Sequence, residues 1–168
     1  MKFIYFKAPP GIKNNLLRSY ELWNDDFISK VGSTTRANAL FSLAWFHAII
    51  QERRDFIPQG WSKFYEFSIA DLRAGTDILD SVIKKSNKIQ WKFIHGLFEN
   101  AIFGGRLDNP FDMRVLISYI KRFFNDNVIN GSSSCFAKLQ LPSTASKKVI
   151  IFLSMSFIYD WIGIFVAH

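Results

Sequence analysis

Apolar positions recur at helical spacing along the first 124 residues. Ile12, Leu16, Tyr20 and Trp23 fall three to four apart, which places them on one helix face. The Pro9-Pro10-Gly11 turn before them marks where that helix begins. Asn24 and Asp25 can cap a short second helix, DFISKV, which Gly32 ends. A long helix is then predicted from Ser33, Thr34 or Thr35 through Arg54. Between Ala39 and Ile50 it is apolar on almost every side. That run is too short to cross a bilayer, which takes about 20 residues, and a helix apolar all round belongs at the centre of a packed body. Gln51-Glu52-Arg53-Arg54 ends it, with cations near the negative helix terminus.

Pro58, Gly60 and Trp61 make a corner. Ser68 with Asp71 reads as a variant capping box opening a helix to about Ile83, and Lys84 to Asn87 as a loop. Trp91, Ile94, Phe98 and Ile102 line one side of a helix from about Ile89 to Phe103, which Gly104-Gly105 stops. Asn109-Pro110 gives a cap followed by proline at the first helical position. Met113, Leu116, Ile117 and Ile120 then form a face that ends at Phe123-Phe124. Strand signal is scarce, so the fold class is mainly α, with residues 34–124 as an antiparallel four-helix unit. From Asn130 the pattern changes. A polar, Ser-rich linker leads to Lys147-Lys148 and an apolar C-terminal tail, 149–168, whose one formal charge is Asp160.

Composition narrows the class. Of 168 residues 49% are hydrophobic and 17% aromatic, with 18 Phe and 5 Trp, which excludes intrinsic disorder and leaves apolar surface for a partner. The net charge is +7. Its basic residues are interleaved with Asp and Glu through 55–131 instead of clustering on a face, which argues against nucleic acid as partner. Cys135 is the one cysteine, so neither a disulfide framework nor a thiolate metal cluster is expected. Lys7 and two prolines stand where a signal peptide needs an apolar core, so secretion is not expected.

Candidate chemistry is sparse. Gly32-Ser33-Thr34-Thr35 lacks the lysine and second glycine of a phosphate-binding loop. His47 and His95 lie on different helices without a carboxylate or cysteine at ligand spacing. Cys135 has no evident base partner. No catalytic, cofactor-binding or metal-binding residue is expected. The residues singled out are possible inter-domain contacts: Arg53 and Arg54 at the end of the long helix, Trp61 at the corner, and Arg106 after the paired glycines.

Three long stretches carry a resemblance: APPGIKNNLLRSYELW, ALFSLAWFHAIIQERRDFIPQGWSKFYEFSIADLRAG and LFENAIFGGRLDNPFDMRVL. In this order and spacing they resemble the end of the dynein heavy chain motor, over about Ala8 to Val128. The resemblance implies that residues 1–33 close the large part of the sixth AAA+ module and that 34–129 form its helical lid. A linker, 130–148, and the apolar tail, 149–168, would follow. The Ile57-Pro58-Gln59 form, with Lys63-Phe64-Tyr65 and Asp108-Asn109-Pro110-Phe111-Asp112, is similar to the dynein 2 branch, which drives retrograde intraflagellar transport. By that resemblance the module is structural, with ATP and magnesium bound by other modules of the motor. The expected partners are the rest of the motor ring, other dynein 2 complex subunits and, indirectly, microtubules. The expected setting is the cytoplasm, cytoskeleton and cilium.

After Ile129 the family pattern fades, where a heavy chain would run on into its C-terminal domain. Two other readings therefore stay open: a tail-anchored protein reusing a lid-like domain, or a soluble helical adaptor. The 149–168 run has spanning length, and Lys147-Lys148 suits a cytoplasmic flank. Asp160 opposes membrane insertion, since a mid-span carboxylate costs about 2.5–3.5 kcal/mol.

Overall fold

The computed structural model describes residues 11–23, 27–28, 34–85 and 89–130. The caps expected at Asn24, Asp25 and Ser33, Cys135, and the linker and tail beyond Asn130 lie outside the described residues.

Among the described residues six α-helices have both ends defined: α1 (Ile12–Leu22), α2 (Thr34–Glu52), α3 (Ile69–Lys85), α4 (Trp91–Leu97), α5 (Pro110–Phe123) and α6 (Asp126–Ile129). A 3-10 turn, Arg53–Asp55, closes α2; a π-turn, Phe98–Ile102, extends α4, and a second 3-10 turn, Gly104–Arg106, precedes α5. No strand occurs among the described residues, and no helix among them is long and apolar enough to cross a membrane.

The long apolar helix is the axis of the fold. Every residue of α2 from Ala39 to Gln51 is buried, and α2 packs against α1, α3, α5 and α6. Encirclement explains why its sequence shows no polar face. Phe46 sits edge-to-face on Phe103, at 4.9 Å between centroids, and on Phe124, at 5.4 Å. Phe98 meets the same two rings at 5.4 and 5.0 Å. Such pairs add about 0.5–1.5 kcal/mol each beyond the area they bury. This aromatic knot joins α2 to both ends of the α4–α5 half.

Polar groups on α2 fasten the segment that leaves the corner. Tyr65 and Phe67 are buried while Phe64 and Glu66 are exposed, the alternation of an extended chain. Without a neighbouring strand its backbone is partnered by α2 and its side chains. The Trp61 indole N–H donates to the Ile50 carbonyl at 2.9 Å, and Gln51 Nε2 to the Phe67 carbonyl at 2.8 Å. His47 Nε2 lies 3.1 Å from the Ser68 carbonyl.

Some helix ends follow the sequence and others depart from it. Asn109 caps α5, its side-chain oxygen accepting from Phe111 N at 2.8 Å with Pro110 in the first turn. At α3 the Asp71 carboxylate accepts from Ser68 N at 2.7 Å, the returning half of a capping box. Lys84 and Lys85 continue α3 instead of forming a loop, because cations suit the negative end of a helix. The long helix stops at Glu52, so Arg53 and Arg54 lie in the 3-10 turn. Ile89 and Gln90 are not helical, and α4 begins at Trp91.

Gly104 ends its helix by another route than a left-handed cap, since Gly11 alone among the described glycines has positive φ. A Cβ on Gly104 would collide with the Glu99 carbonyl. The chain needs glycine there for close backbone approach.

Candidate functional site

The 53–65 corner gathers three of the four singled-out residues. Arg53 lies with its guanidinium 5.0 Å from the Trp61 ring centroid and 5.4 Å from that of Tyr119. Its Nη2 donates to the Gly60 carbonyl, and Nη1 to the Tyr119 hydroxyl at 3.1 Å. Trp61 is 0% exposed. Both side chains are thus engaged inside this chain, tying the corner to α5. Trp61 packs inside this chain and holds the corner in place. Arg54 reaches outward, its guanidinium 5.6 Å from the ring of exposed Phe64.

Arg106 is separate from that corner. Its Nη2 donates to Asp71 Oδ1 at 2.7 Å, so one carboxylate caps α3 and holds the turn before α5. Arg106 is 48% exposed and Asp71 is 7% exposed. Together they line an open groove of about 330 Å³ with Ala74, Ala101, Ile102 and Gly105.

A polar cluster that sequence reading missed links the corner to α5. Asp112 accepts from Ser62 N at 3.1 Å to both carboxylate oxygens, from the Ser62 hydroxyl, and from the Tyr65 hydroxyl at 2.9 Å. Asp108 faces the Tyr65 hydroxyl at 3.0 Å and Lys63 Nζ at 2.6 Å. Burial alone would raise the Asp112 carboxyl; the Ser62 and Tyr65 donors outweigh it and hold the group below its ordinary range. Burial, with the two carboxylates beside it, pushes Tyr65 up to about 12. These partners stand 43 to 50 positions apart, beyond any local motif. Lys63, Tyr65, Asp108 and Asp112 stood out in the sequence only as letters of the family resemblance, with no pairing among them.

Two further links place α1 and α3 on the axis helix. Arg36, buried at the start of α2, forks onto Asp80 and also donates to the Phe27 and Ile28 carbonyls. Glu52 accepts from Gly11 N at 2.8 Å and Asn15 Nδ2 at 3.3 Å. Burial raises the Glu52 carboxyl, and the Gly11 N–H partly offsets this.

The arrangement is one of mechanical fastening. His47 and His95 each face one backbone carbonyl, Ser68 and Phe124 respectively. Burial lowers His47 to about 4, so it is neutral near pH 7 and serves the Ser68 carbonyl as a donor. Among the described residues no three His, Cys, Asp or Glu side chains group as a metal site.

Comparison with known proteins is decided by one match: the model of the dynein heavy chain AAA lid domain covers residues 36–158. The chain belongs to the dynein heavy chain AAA lid family. It is 62% identical over 140 residues to cytoplasmic dynein 2 heavy chain 1 of Tripneustes gratilla and 61% identical over 143 residues to that of Homo sapiens, over 83% and 85% of this chain. To the cytoplasmic dynein heavy chain of Drosophila melanogaster it is 40% identical over 73% of its length. The lid chain spans about 3% of the length of each of these relatives.

Proposed function

We propose that this chain acts as the lid of the sixth AAA+ module in a dynein 2-type heavy chain. It relays ring movement during ATP-driven, minus-end-directed stepping on microtubules and catalyses nothing itself. ATP and magnesium belong to other modules of that motor. The partners are the rest of the ring and the dynein 2 complex, and the setting is the cytoskeleton and the cilium, in retrograde intraflagellar transport. The observation that carries this reading is the graded similarity: 61–62% identity to dynein 2 heavy chains against 40% to a cytoplasmic dynein heavy chain. The fastening of α2 on four sides supports it, because a relay must move as one body.

An exchange tests the proposal. Residues 36–130 of this chain replace the matching segment of a dynein 2 heavy chain, and motor ATPase and retrograde transport velocity are measured. Both stay within about twofold of the parent if the segment is a dynein 2 lid. Loss of transport in an exchanged motor that still assembles overturns the assignment, as does ATP hydrolysis by the purified 168-residue chain.

A further inference from the structure

Two exposed phenylalanines each carry an arginine on the ring. Phe64 is 63% exposed and Phe111 is 71% exposed. The Arg54 guanidinium lies 5.6 Å from the Phe64 centroid, and that of Arg114 lies 5.7 Å from the Phe111 centroid. Neither arginine has an ion pair among the described residues. The two pairs stand either side of one junction, for Ser62 is bonded to Asp112, two positions before Phe64 and one after Phe111. From there the outward side of α5 continues through Ser118 and Lys121, both exposed; of the exposed acids near the junction, Asp108 is held by Lys63, and Asp55 and Glu66 stand beside Arg54 and Tyr65 in the chain.

Large apolar rings in water are unfavourable, and an exposed cation–π pair returns only about 0.5–1 kcal/mol. Aromatic side chains and arginine are also the groups that dominate protein interfaces. We infer that the Phe64–Arg54 and Phe111–Arg114 pairs form a docking surface for an acidic protein segment that carries apolar side chains. Its carboxylates meet the guanidinium forks, which bind them bidentately, and its apolar groups cover the two rings. Charge complementarity sets the choice. Arg54, Arg114 and Lys121 around an apolar anchor are too few and too apolar for a phosphate-backbone track. The surface belongs to this chain whichever assembly it serves.

The test is fluorescence anisotropy on the full 168-residue chain, with a labelled helical peptide bearing glutamates on one face and leucines on the other. The expected result is binding at 50 mM salt that weakens tenfold or more in R54E/R114E and at least threefold in F64A/F111A. R73E/K84E on α3 matches the charge change and leaves the Kd within twofold. Far-UV circular dichroism reports folding, and R54Q/R114Q replaces any glutamate variant that loses helix. The inference is overturned if the peptide does not bind, if the α3 variant weakens binding equally, or if F64A/F111A has no effect. Equal affinity for single-stranded oligothymidine, with the same sensitivity to R54E/R114E, overturns it in favour of a nucleic-acid surface.

Discussion

Arg36 and Asp80 meet through two parallel bonds, Nε to Oδ1 at 2.7 Å and Nη2 to Oδ2 at 2.9 Å. Arg36 is 2% exposed and Asp80 is 17% exposed, so water screens the pair poorly. Removing one partner leaves the other charge buried, at a cost of about 3–5 kcal/mol. Asp80→Ala is expected to lower the urea midpoint of the 168-residue chain by an amount in that range. The double variant R36M/D80L is expected to recover most of it. Unchanged stability in D80A would mean that the two backbone carbonyls alone satisfy Arg36.

Arg106 and Asp71 form a less symmetric pair. The arginine is half in water, so Arg106→Ala is expected to cost at most about 1 kcal/mol. Asp71→Ala also strips the carboxylate that accepts from Ser68 N at the start of α3, a charged hydrogen bond worth about 1.5–3 kcal/mol, and should cost more. Chemical denaturation of the two variants side by side checks the order, and a reversed order would show that the α3 cap contributes little.

Gly104 and Gly105 are adjacent and should respond differently to the same substitution. A Cβ on Gly104 would enter the Glu99 carbonyl, whereas one on Gly105 would lie 3.7 Å from the Asn100 carbonyl, an ordinary contact. Gly104→Ala is expected to lose about 1–3 kcal/mol through backbone displacement. Gly105→Ala should be close to neutral. Equal melting shifts would remove the close-approach explanation of the turn.

His47 makes stability depend on pH. Its folded value of about 4 lies below its ordinary 6.5 because burial disfavours the cation. Between those values the unfolded chain binds a proton that the native chain does not, so stability is full above about 6.5 and falls as pH drops toward 4. By pH 5 the loss reaches about 2 kcal/mol. Urea midpoints at pH 7.5, 6 and 5 measure it, against His47→Gln, in which the slope should flatten. A slope unchanged in H47Q would assign the acid sensitivity to other groups.

The fold was legible where a local pattern carries it. Ala39 to Ile50 lacks a polar face, and only burial on all sides makes that stable in water. Asn109-Pro110 and Ser68–Asp71 marked two helix starts, because a cap is a contact between residues two or three apart. What stayed hidden depends on distance in sequence. Nothing near Asp112 announces Ser62 and Tyr65, and nothing near Arg36 announces Asp80. The extended 64–67 segment escaped because its partners are helix side chains instead of another strand. Of the candidate contacts, Arg54 is half-buried and lies against the Phe64 ring. The sequence showed Trp61 as part of a corner, and its bond to the Ile50 carbonyl, eleven positions back, has no local signature.

The π-turn at Phe98–Ile102 amounts to one residue more than a regular helix requires. Each residue of an α-helix rotates the chain by about 100°, so that extra residue sets the direction in which Phe103 points. Deleting a single residue between Glu99 and Ala101 would regularise the helix and at the same time swing Phe103 off Phe46. The segment should therefore tolerate many replacements of letter and almost no change of length, and related sequences ought to align through it without a gap.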